Sequence, residues 1–457
     1  MNIIIIGAGK FGTTICDELE NEGHNITVID TDASVADRIV EECDVMGICG
    51  DGMNIEVLTE AGAERCDVII ATTESDEINM VSALLAKKLG AKHAVARVRN
   101  PLLRKQTGFM REEMGISMMV NPEYDAACEI SRMIKFPEAA KIETFAKGRI
   151  EMAEVRVHKE SPLCNCSLKE IGKKFSASAL ICAVQRKEEV YIPNGDFIIR
   201  EGDRVNLTAT HSEISNFLKE AGIFTQKVRS VMIIGCGAVG FYLTKMLSES
   251  GMRVKVIEKN RENCERVNNL LPKADIICAD GTNHQVLIEE GLLTTDAVVS
   301  LTGVDEENII VSLFAKVKGV DKVITKVNNT MLLPIVDSIG LDSVVAPKEI
   351  TADIITTYVR AKENAQTSNV LTVYKLAGGR LEALELQANK GDKYIGKKLK
   401  ELPIRKSVLI AGIVKGNKVI IPNGDSVIDA GDRVMVVTAN THTGSLYQLF
   451  EENGYEL

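Results

Sequence analysis

The sequence contains no tryptophan, and only 4% of its 457 residues are aromatic. Many surfaces that bind sugars or single-stranded nucleic acids stack their ligands on aromatic rings, so this scarcity argues against both. Basic residues are not in excess either, because the formal net charge is -10 and no Lys/Arg-rich tract occurs. Nucleic acids and anionic membrane surfaces both attract basic protein surfaces. We therefore expect no nucleic-acid partner and no direct attraction to lipid.

Long hydrophobic runs are also absent. A membrane-spanning helix needs about 18 or more consecutive apolar residues, and no such uncharged stretch occurs in the chain. The N-terminus, MNIIIIG, has neither a basic segment nor a cleavage site, so it is typical of a β-strand rather than a signal peptide. We expect no direct membrane insertion.

Metal-ligand spacings are missing as well. The six histidines are dispersed and never occur as HxxxH, and Cys164 and Cys166 form a CxC without a second pair. The 11 cysteines are an odd number and are scattered along the chain. This pattern predicts reduced, mostly buried thiols in a cytosolic protein, and no metal site.

What the sequence does contain is a repeat. The glycine-rich turn that starts at Gly7 recurs at Gly235, and the Asp-Gly pair at Asp51 recurs at Asp280. The pattern PNGDxxIxxGDRV also occurs twice, in YIPNGDFIIREGDRV (191–205) and IIPNGDSVIDAGDRV (420–434). Because each of these offsets is close to half of the chain length, we interpret the chain as one unit written twice.

Each unit begins with apolar strands that alternate with helices. In the first unit the strands are expected at 2–6, 25–30, 44–51, 66–73 and 94–99, and the helices at 10–22, 32–42, 53–62, 75–89 and 101–114. Continuously apolar strands of this kind belong to a parallel sheet covered by helices on both faces. The fold class is therefore α/β, with a Rossmann-like doubly wound parallel sheet in each unit.

The second part of each unit has short β runs broken by Asn-Gly and Gly-Asp turns, and in the first unit a helix at 212–221 closes it. This pattern predicts a small α+β lobe. The expected domains are two Rossmann-like domains, at 1–123 and 228–347, and two small lobes, at 140–225 and 367–453.

Two further helices follow Pro122 and Pro347, where apolar residues recur at helical spacing. One interpretation is that each helix packs on the domain that precedes it. The other is that each is a crossover or dimerisation helix, and the sequence leaves both open.

The glycines at the end of the first strand of each unit are spaced as GxGxxG. Gly7 allows a tight strand-to-helix turn, Gly9 lets the backbone approach a pyrophosphate, and Gly12 lets the helix pack close to the strand. The N-terminus of the following helix then attracts phosphate. Asp30 and Glu258 end the second strand of their units, each at the same separation from the first glycine of its turn. Such an acid accepts hydrogen bonds from ribose hydroxyls and disfavours NADP, although by itself it could be a solvated strand end.

Four more polar residues end strands, where ligands of parallel sheets bind. Asp51 and Asp280 end the third strand of each unit, and Thr73 and Thr302 end the fourth. Contact with a nucleotide is one role for them, and capping of the next helix is the alternative. Arg97 reaches the same crevice, where it either pairs with a phosphate or is a surface charge near Asp76.

The candidate cofactor-binding residues are therefore Gly7, Ala8, Gly9, Lys10, Phe11, Gly12, Asp30, Asp51, Thr73 and Arg97 in the first unit, and Gly235, Cys236, Gly237, Ala238, Val239, Gly240, Glu258, Asp280 and Thr302 in the second. A nicotinamide-dependent enzyme would also need a general acid or base beside the hydride. His24 and His93 are expected in loops at the wrong end of the sheet. We therefore predict no catalytic residue, with an NAD-dependent dehydrogenase as the alternative.

Two copies of a strand, a GxGxxG turn and an acid, each followed by PNGDxxIxxGDRV, resemble tandem RCK (KTN) modules, the TrkA-N and TrkA-C domains. The resemblance covers nearly the whole chain, and the two-unit layout is similar to the regulatory subunits of bacterial Trk potassium uptake systems. It implies a cytoplasmic protein, peripheral to the inner face of the cell membrane, that forms a homo-oligomeric ring beneath a membrane potassium-translocating subunit.

The same resemblance implies that NAD, NADH, or ATP and ADP bind at the residues named above and gate the partner. An RCK-type regulator of another ion channel or antiporter is an alternative. The two units differ in charge, because Lys10, Arg97 and Arg99 correspond to Ala238, Lys326 and Asn328. We therefore expect unequal sites, with the first binding the tighter or more anionic ligand.

Overall fold

The computed structural model describes residues 1–100, 106, 108, 113–135, 141–146, 148–187, 189–222, 228–341, 343–367, 370–377, 380–390, 394–405, 407–416, 418–439 and 449. It divides into two compact units. Unit 1 comprises Met1–Ile134 and Val228–Val359, and unit 2 comprises Lys135–Lys227 and Arg360–Leu457. The expected helix at 101–114 and the end of the second small lobe lie mostly outside the described residues.

The described strands are β1 Asn2–Ile6, β2 Asn25–Asp30, β3 Met46–Cys49, β4 Val68–Ala71, β5 His93–Arg97, β6 Met118–Val120, β7 Lys141–Phe145, β8 Ile150–Arg156, β9 Leu180–Arg186, β10 Glu189–Tyr191, β11 Arg204–Ala209, β12 Ser230–Ile234, β13 Arg253–Glu258, β14 Asp275–Cys278, β15 Ala297–Ser300, β16 Lys322–Lys326, β17 Val344–Val345, β18 Val370–Leu376, β19 Leu381–Gln387, β20 Val408–Lys415, β21 Lys418–Ile420 and β22 Arg433–Thr438. The α-helices, numbered in chain order, are α1 Lys10–Glu20, α2 Ala33–Glu42, α3 Ile55–Glu60, α4 Asp76–Leu89, α5 Pro122–Lys135, α6 Leu168–Lys174, α7 His211–Glu220, α8 Ala238–Glu249, α9 Arg261–Leu270, α10 His284–Glu289, α11 Asp305–Val317, α12 Leu333–Ser338 and α13 Pro347–Thr367.

Unit 1 contains two parallel six-stranded sheets, and they confirm the α/β fold class. Their strand orders are β3-β2-β1-β4-β5-β6 and β14-β13-β12-β15-β16-β17. After Asn2 the central strand β1 is apolar, because both faces of the sheet are covered: Ile3 and Ile5 join one hydrophobic cluster, and Ile4 and Ile6 join another. The sixth strand of each sheet was not predicted, because such short strands carry no readable periodicity.

Short polar side chains begin several of the helices around the first sheet. Asp32, Asn54 and Ser75 each accept a hydrogen bond from a backbone amide in the first turn of α2, α3 and α4. These caps hold the helix N-termini at the carboxyl edge of the sheet, where parallel strands place their ligand crevice.

The helices after Pro122 and Pro347 exchange between the two Rossmann-like domains. Ala126, Ile130 and Ile134 of α5 pack in the hydrophobic core of the second domain. Ile355 and Val359 of α13 pack in the core of the first. Of the two interpretations left open by the sequence, the crossover is therefore correct, and packing on the preceding domain is wrong.

Unit 2 contains two five-stranded sheets with the same connectivity, ordered β10-β9-β11-β8-β7 and β18-β19-β22-β20-β21. Arg186 donates two hydrogen bonds, of 2.8 and 2.7 Å, to the fully buried carboxylate of Asp203. Asp432, the equivalent aspartate of the second PNGDxxIxxGDRV copy, lies 3.4 Å from Lys415. The pattern shared by the two copies thus has a structural role, because a buried carboxylate needs such partners.

The two small lobes share one hydrophobic core. Phe145 and Met152 of the first lobe cluster with Ala383 and Val437 of the second. The hydroxyl of Thr208 donates a 3.0 Å hydrogen bond to the Ala411 carbonyl across this contact. Among the described residues, no helix is long and apolar enough to cross a membrane.

Candidate functional site

A cavity of ≈ 1060 Å³ lies in unit 1 at the carboxyl ends of the strands of the first sheet. Both glycine turns contribute to its wall. The lining residues of the first domain include Gly7, Gly9, Lys10, Phe11, Asp30, Asp32, Asp51, Gly52, Thr73, Glu74, Arg97 and Glu123. Those of the second domain are Gly237, Ala238, Val239, Gly240, Leu301, Lys326, Asn328, Pro347 and Lys348.

The three glycines of the first turn have different physical roles. Gly7 adopts a φ of +92°, which L side chains rarely accept. A Cβ on Gly12 would lie 1.9 Å from the carbonyl oxygen of Gly7, so α1 can pack on the turn only without a side chain there. Gly9 differs, because a Cβ there would meet nothing within 4 Å and would point into open space. The space beside Gly9 is available to a ligand.

Asp30 both stabilises the first glycine turn and lines the cavity. Its carboxylate accepts hydrogen bonds from the backbone amides of Ala8, at 2.7 Å, and Asp32, at 3.0 Å. Each carboxylate oxygen can accept a second hydrogen bond, so the group still has acceptor capacity for a hydroxyl. Ala8 and Gly12 do not line the cavity themselves.

The capping alternative is wrong for Asp51 and Thr73. Asn54 and Ser75 cap the helices that follow them. Asp51 instead accepts a 2.8 Å hydrogen bond from the amide of Met53, and the Thr73 hydroxyl donates a 2.7 Å bond to Asn79. Both side chains therefore stabilise loops beside the cavity, and neither of them caps a helix.

The surface-charge interpretation of Arg97 is also wrong. Its side chain is only 14% exposed and lies 3.4 Å from Glu123, with its guanidinium 5.3 Å from the centre of the Phe11 ring. The residue beside Asp76 is Arg99, whose backbone amide donates to that carboxylate at 3.0 Å. Arg97 therefore presents a partly desolvated positive charge to the cavity.

The second glycine turn repeats the same local geometry. Gly235 has a φ of +92°, and a Cβ on Gly240 would lie 2.4 Å from the Gly235 carbonyl oxygen. Glu258 accepts hydrogen bonds of 2.8 Å from the amides of Cys236 and Asn260, as Asp30 does in the first copy. The repeat therefore specifies the same backbone twice.

The surroundings of the second acid differ. Gly235, Cys236, Glu258, Asp280 and Thr302 do not line the cavity. Asp280 instead forms a 3.0 Å ion pair with Lys259. Hydrogen bonds from the Thr282 amide and hydroxyl, together with Lys259, lower the pKa of Asp280 to about 2. The structure thus places all candidate residues of the first copy except Ala8 and Gly12 in the cavity wall, but only the Gly237–Gly240 segment of the second.

Sequence reasoning missed Glu123 and Lys348, which follow Pro122 and Pro347 at the start of the two crossover helices. Their equivalent positions after a proline were a readable signal. Their place in a shared cavity depends on the exchange of α5 and α13, which the sequence left open.

Comparison with known proteins agrees with this architecture. The TrkA-N domain family matches residues 3–122 and 231–347, and the TrkA-C domain family matches 152–222 and 384–451. The Trk system potassium uptake protein TrkA homolog of Archaeoglobus fulgidus is 33% identical over 95% of this chain and 97% of its own. TrkA homolog 1 of Methanosarcina mazei is 30% identical over 99% of this chain and 100% of its own.

Among solved structures, the GsuK channel bound to NAD superposes with a TM-score of 0.64 and 18% identity, over 96% of this chain and 76% of that one. At this identity the likeness shows the fold alone. The domain matches and the full-length relatives together show that the chain belongs to the family of Trk system potassium uptake proteins TrkA.

Proposed function

We propose that this protein is a nucleotide-sensing regulatory subunit of a potassium uptake system. The observation that carries the proposal is the shared cavity, which both glycine turns line within one exchanged pair of domains. A ligand in this cavity touches both domains, so its binding favours one of their arrangements. Because the chain belongs to the TrkA family, we propose that the process it regulates is potassium uptake.

The residues of the cavity suit binding of a nucleotide. Asp30 and Asp51 offer carboxylates to ribose hydroxyls, whereas Lys10, Arg97 and the N-terminus of α1 favour phosphate. NAD or NADH fits this description, and so do ATP and ADP. The GsuK channel of the same fold was solved with NAD, which supports NAD as a probe for this chain.

No bond needs to be made or broken for this role, and we assign the site to sensing rather than catalysis. A ligand that prefers one conformation by about 1–3 kcal/mol shifts a two-state equilibrium appreciably. The proposed partner is a membrane potassium-translocating subunit of the Trk type, to which the protein binds from the cytoplasmic side.

Alanine at Gly9 tests the first site without disturbing the fold. Gly9 has a φ of -65° and a ψ of -179°, which alanine adopts readily, and its Cβ would meet nothing within 4 Å. A methyl group there would occupy the space of a phosphate, so we expect Gly9→Ala to weaken binding of NADH and ATP by about tenfold or more. Isothermal titration calorimetry of the full chain measures this change.

Gly237→Ala is the matched comparison in the second turn, because Gly237 also lines the cavity and has a φ of -65° and equally open surroundings. Unequal sites predict a smaller loss for Gly237→Ala than for Gly9→Ala. Wild-type affinity in Gly9→Ala would contradict a ligand at the first turn, and no binding by the wild type would contradict the sensing function itself.

An exposed apolar surface supports assembly into a homo-oligomeric ring. We define the α11–α12 surface by Ile310, Val317, Met331 and Ile335, which are 57, 83, 84 and 56% exposed. Ile309 and Leu313 of α11 and Val336 of α12 pack in one hydrophobic cluster, so these exposed side chains lie on neighbouring elements. An exposed apolar patch commonly marks an interface. We propose that another copy of the chain covers them.

The double substitution Met331→Lys and Ile335→Glu should therefore shift the protein to smaller species in size-exclusion chromatography with light scattering. Leu270→Lys is the control, since Leu270 is 55% exposed on α9, which packs on the opposite face of the second sheet. An unchanged molar mass in the double variant would contradict assembly through the α11–α12 surface.

A further inference from the structure

Two cysteines of the second Rossmann-like domain lie side by side, away from the cavity. Cys264 is the fourth residue of α9 and is buried, whereas Cys278 is the last residue of β14 and is exposed. Neither residue lines the cavity, and both are free thiols. The nucleotide site therefore does not account for this pair.

The end of β13 brings the two thiols together. Glu258 is the residue of β13 that pairs with Cys278 in the parallel register of the two strands. The Glu258 carbonyl accepts a 3.0 Å hydrogen bond from the Ala279 amide and a 3.3 Å hydrogen bond from the Cys264 thiol. The Cys264 thiol therefore lies beside the end of β14, where it also forms a hydrogen bond with the Cys278 thiol.

The two thiols differ in their surroundings. Burial raises the pKa of Cys264 to about 12, and the Cys278 thiol and Glu258 contribute further to this rise. Because the thiolate is the nucleophile in thiol–disulfide exchange, Cys264 reacts slowly with reagents in solution. Cys278 is accessible to such reagents, and its sulfur is within reach of Cys264. The pair thus combines an exposed attacking thiol with a buried resolving thiol.

The first domain contains only half of this arrangement. The fourth residue of α2 is Ala36, and the last residue of β3 is Cys49, which is exposed. The Cys49 thiol donates a 3.7 Å hydrogen bond to the Thr31 carbonyl. Since Ala36 carries no sulfur, Cys49 has no second thiol at the equivalent helix position. The repeat thus supplies an internal control for the pair.

The helix that carries Cys264 is connected to the second glycine turn. The side chain of Asn263 donates a 3.0 Å hydrogen bond to the Cys236 carbonyl, and the Glu258 carboxylate accepts a 2.8 Å hydrogen bond from the Cys236 amide. A covalent link between Cys264 and the end of β14 would restrain both connections. The Glu258 carbonyl would keep the Ala279 amide as its donor, so the link would leave no buried carbonyl unpaired.

We propose that Cys264 and Cys278 are a site of oxidative modification, where a reversible disulfide restrains the second glycine turn. The Cys278 thiolate attacks one sulfur of a low-molecular-weight disulfide such as oxidised glutathione, whose S–S bond breaks as one thiol leaves. The Cys264 thiolate then attacks the Cys278 sulfur, and the second thiol leaves. The protein thiols lose two protons and two electrons, and the two released thiols carry both.

The test is incubation of the full-length protein with oxidised and reduced glutathione at set ratios, followed by alkylation and peptide mass spectrometry. We expect a Cys264–Cys278 disulfide in the wild type, which dithiothreitol reverses. Hydrogen exchange in the peptide that contains residues 235–240 should be slower in the oxidised protein by about tenfold. Cys49→Ser is the control and should leave both results unchanged.

Cys278→Ser and Cys264→Ala should each abolish the disulfide and the slower exchange. Alanine already occupies the equivalent position at Ala36, and Cys278 is exposed, so we expect both variants to fold. If circular dichroism shows that one variant is unfolded, the other decides the outcome. Glutathione on Cys278 without a link to Cys264, or two unmodified thiols, would overturn the proposed disulfide. Unchanged exchange at 235–240 in the oxidised protein would overturn its effect on the turn.

Discussion

Alanine in place of Gly12 is expected to destabilise the first Rossmann-like domain by about 3 kcal/mol. Gly12 lies inside α1, where helix propensity alone would make alanine more stable than glycine by up to about 1 kcal/mol. Its Cβ would, however, lie 1.9 Å from the Gly7 carbonyl oxygen and 3.1 Å from the Thr72 hydroxyl oxygen. The helix would have to move away from the strand, and the turn would lose its shape.

Thermal and chemical unfolding of the full chain measure this effect. Gly9→Ala serves as the control, since the same substitution earlier in the same turn meets no neighbour. Gly240→Ala should have a similar effect in the second domain, where the Cβ would lie 2.4 Å from the Gly235 carbonyl oxygen. A neutral or stabilising Gly12→Ala would mean that α1 does not pack on the turn as described.

Removing a buried side chain from a crossover helix is expected to destabilise the domain of the opposite repeat. Ile130 in α5 and Ile355 in α13 are both fully buried, and removing such a side chain typically costs about 2–5 kcal/mol. Because α13 packs in the core of the first domain, Ile355→Ala should accelerate hydrogen exchange in β1. Ile130→Ala should do the same in β12.

Hydrogen exchange followed by mass spectrometry separates these two outcomes, since β1 and β12 give different peptides. Ile339→Ala is the control, because Ile339 is 40% exposed and contributes little to a core. Faster exchange confined to the second domain in Ile355→Ala would contradict the crossover.

The exchange of helices also explains how one ligand can act on two domains. Each domain is completed by a helix that belongs to the other repeat, and the cavity lies where α5 and α13 begin. A ligand that contacted Lys348 would therefore act directly on the helix that completes the first domain. We expect this coupling to be lost if α13 is detached from the first domain.

The sequence by itself determined the features that depend on neighbouring residues. The GxGxxG turns, the acids at the ends of β2 and β13, and the central strands follow from local backbone demands and from apolar runs, and they repeat because the sequence repeats. The bounds predicted for the strands of the first sheet agree with the structure to within a few residues, whereas the very short strands β6 and β17 were not predicted.

Only the tertiary structure decided how the two repeats combine. An amphipathic helix after Pro122 or Pro347 carries an apolar face, but that face does not specify which of two similar cores it fills. The exchange brings Lys326 and Lys348 into the cavity of the first glycine turn and leaves Glu258 and Asp280 outside it. Two turns of near-identical backbone conformation thus acquire different surroundings. The conformation of each turn depends on its own residues. Burial and charge at the site depend on every element that packs there.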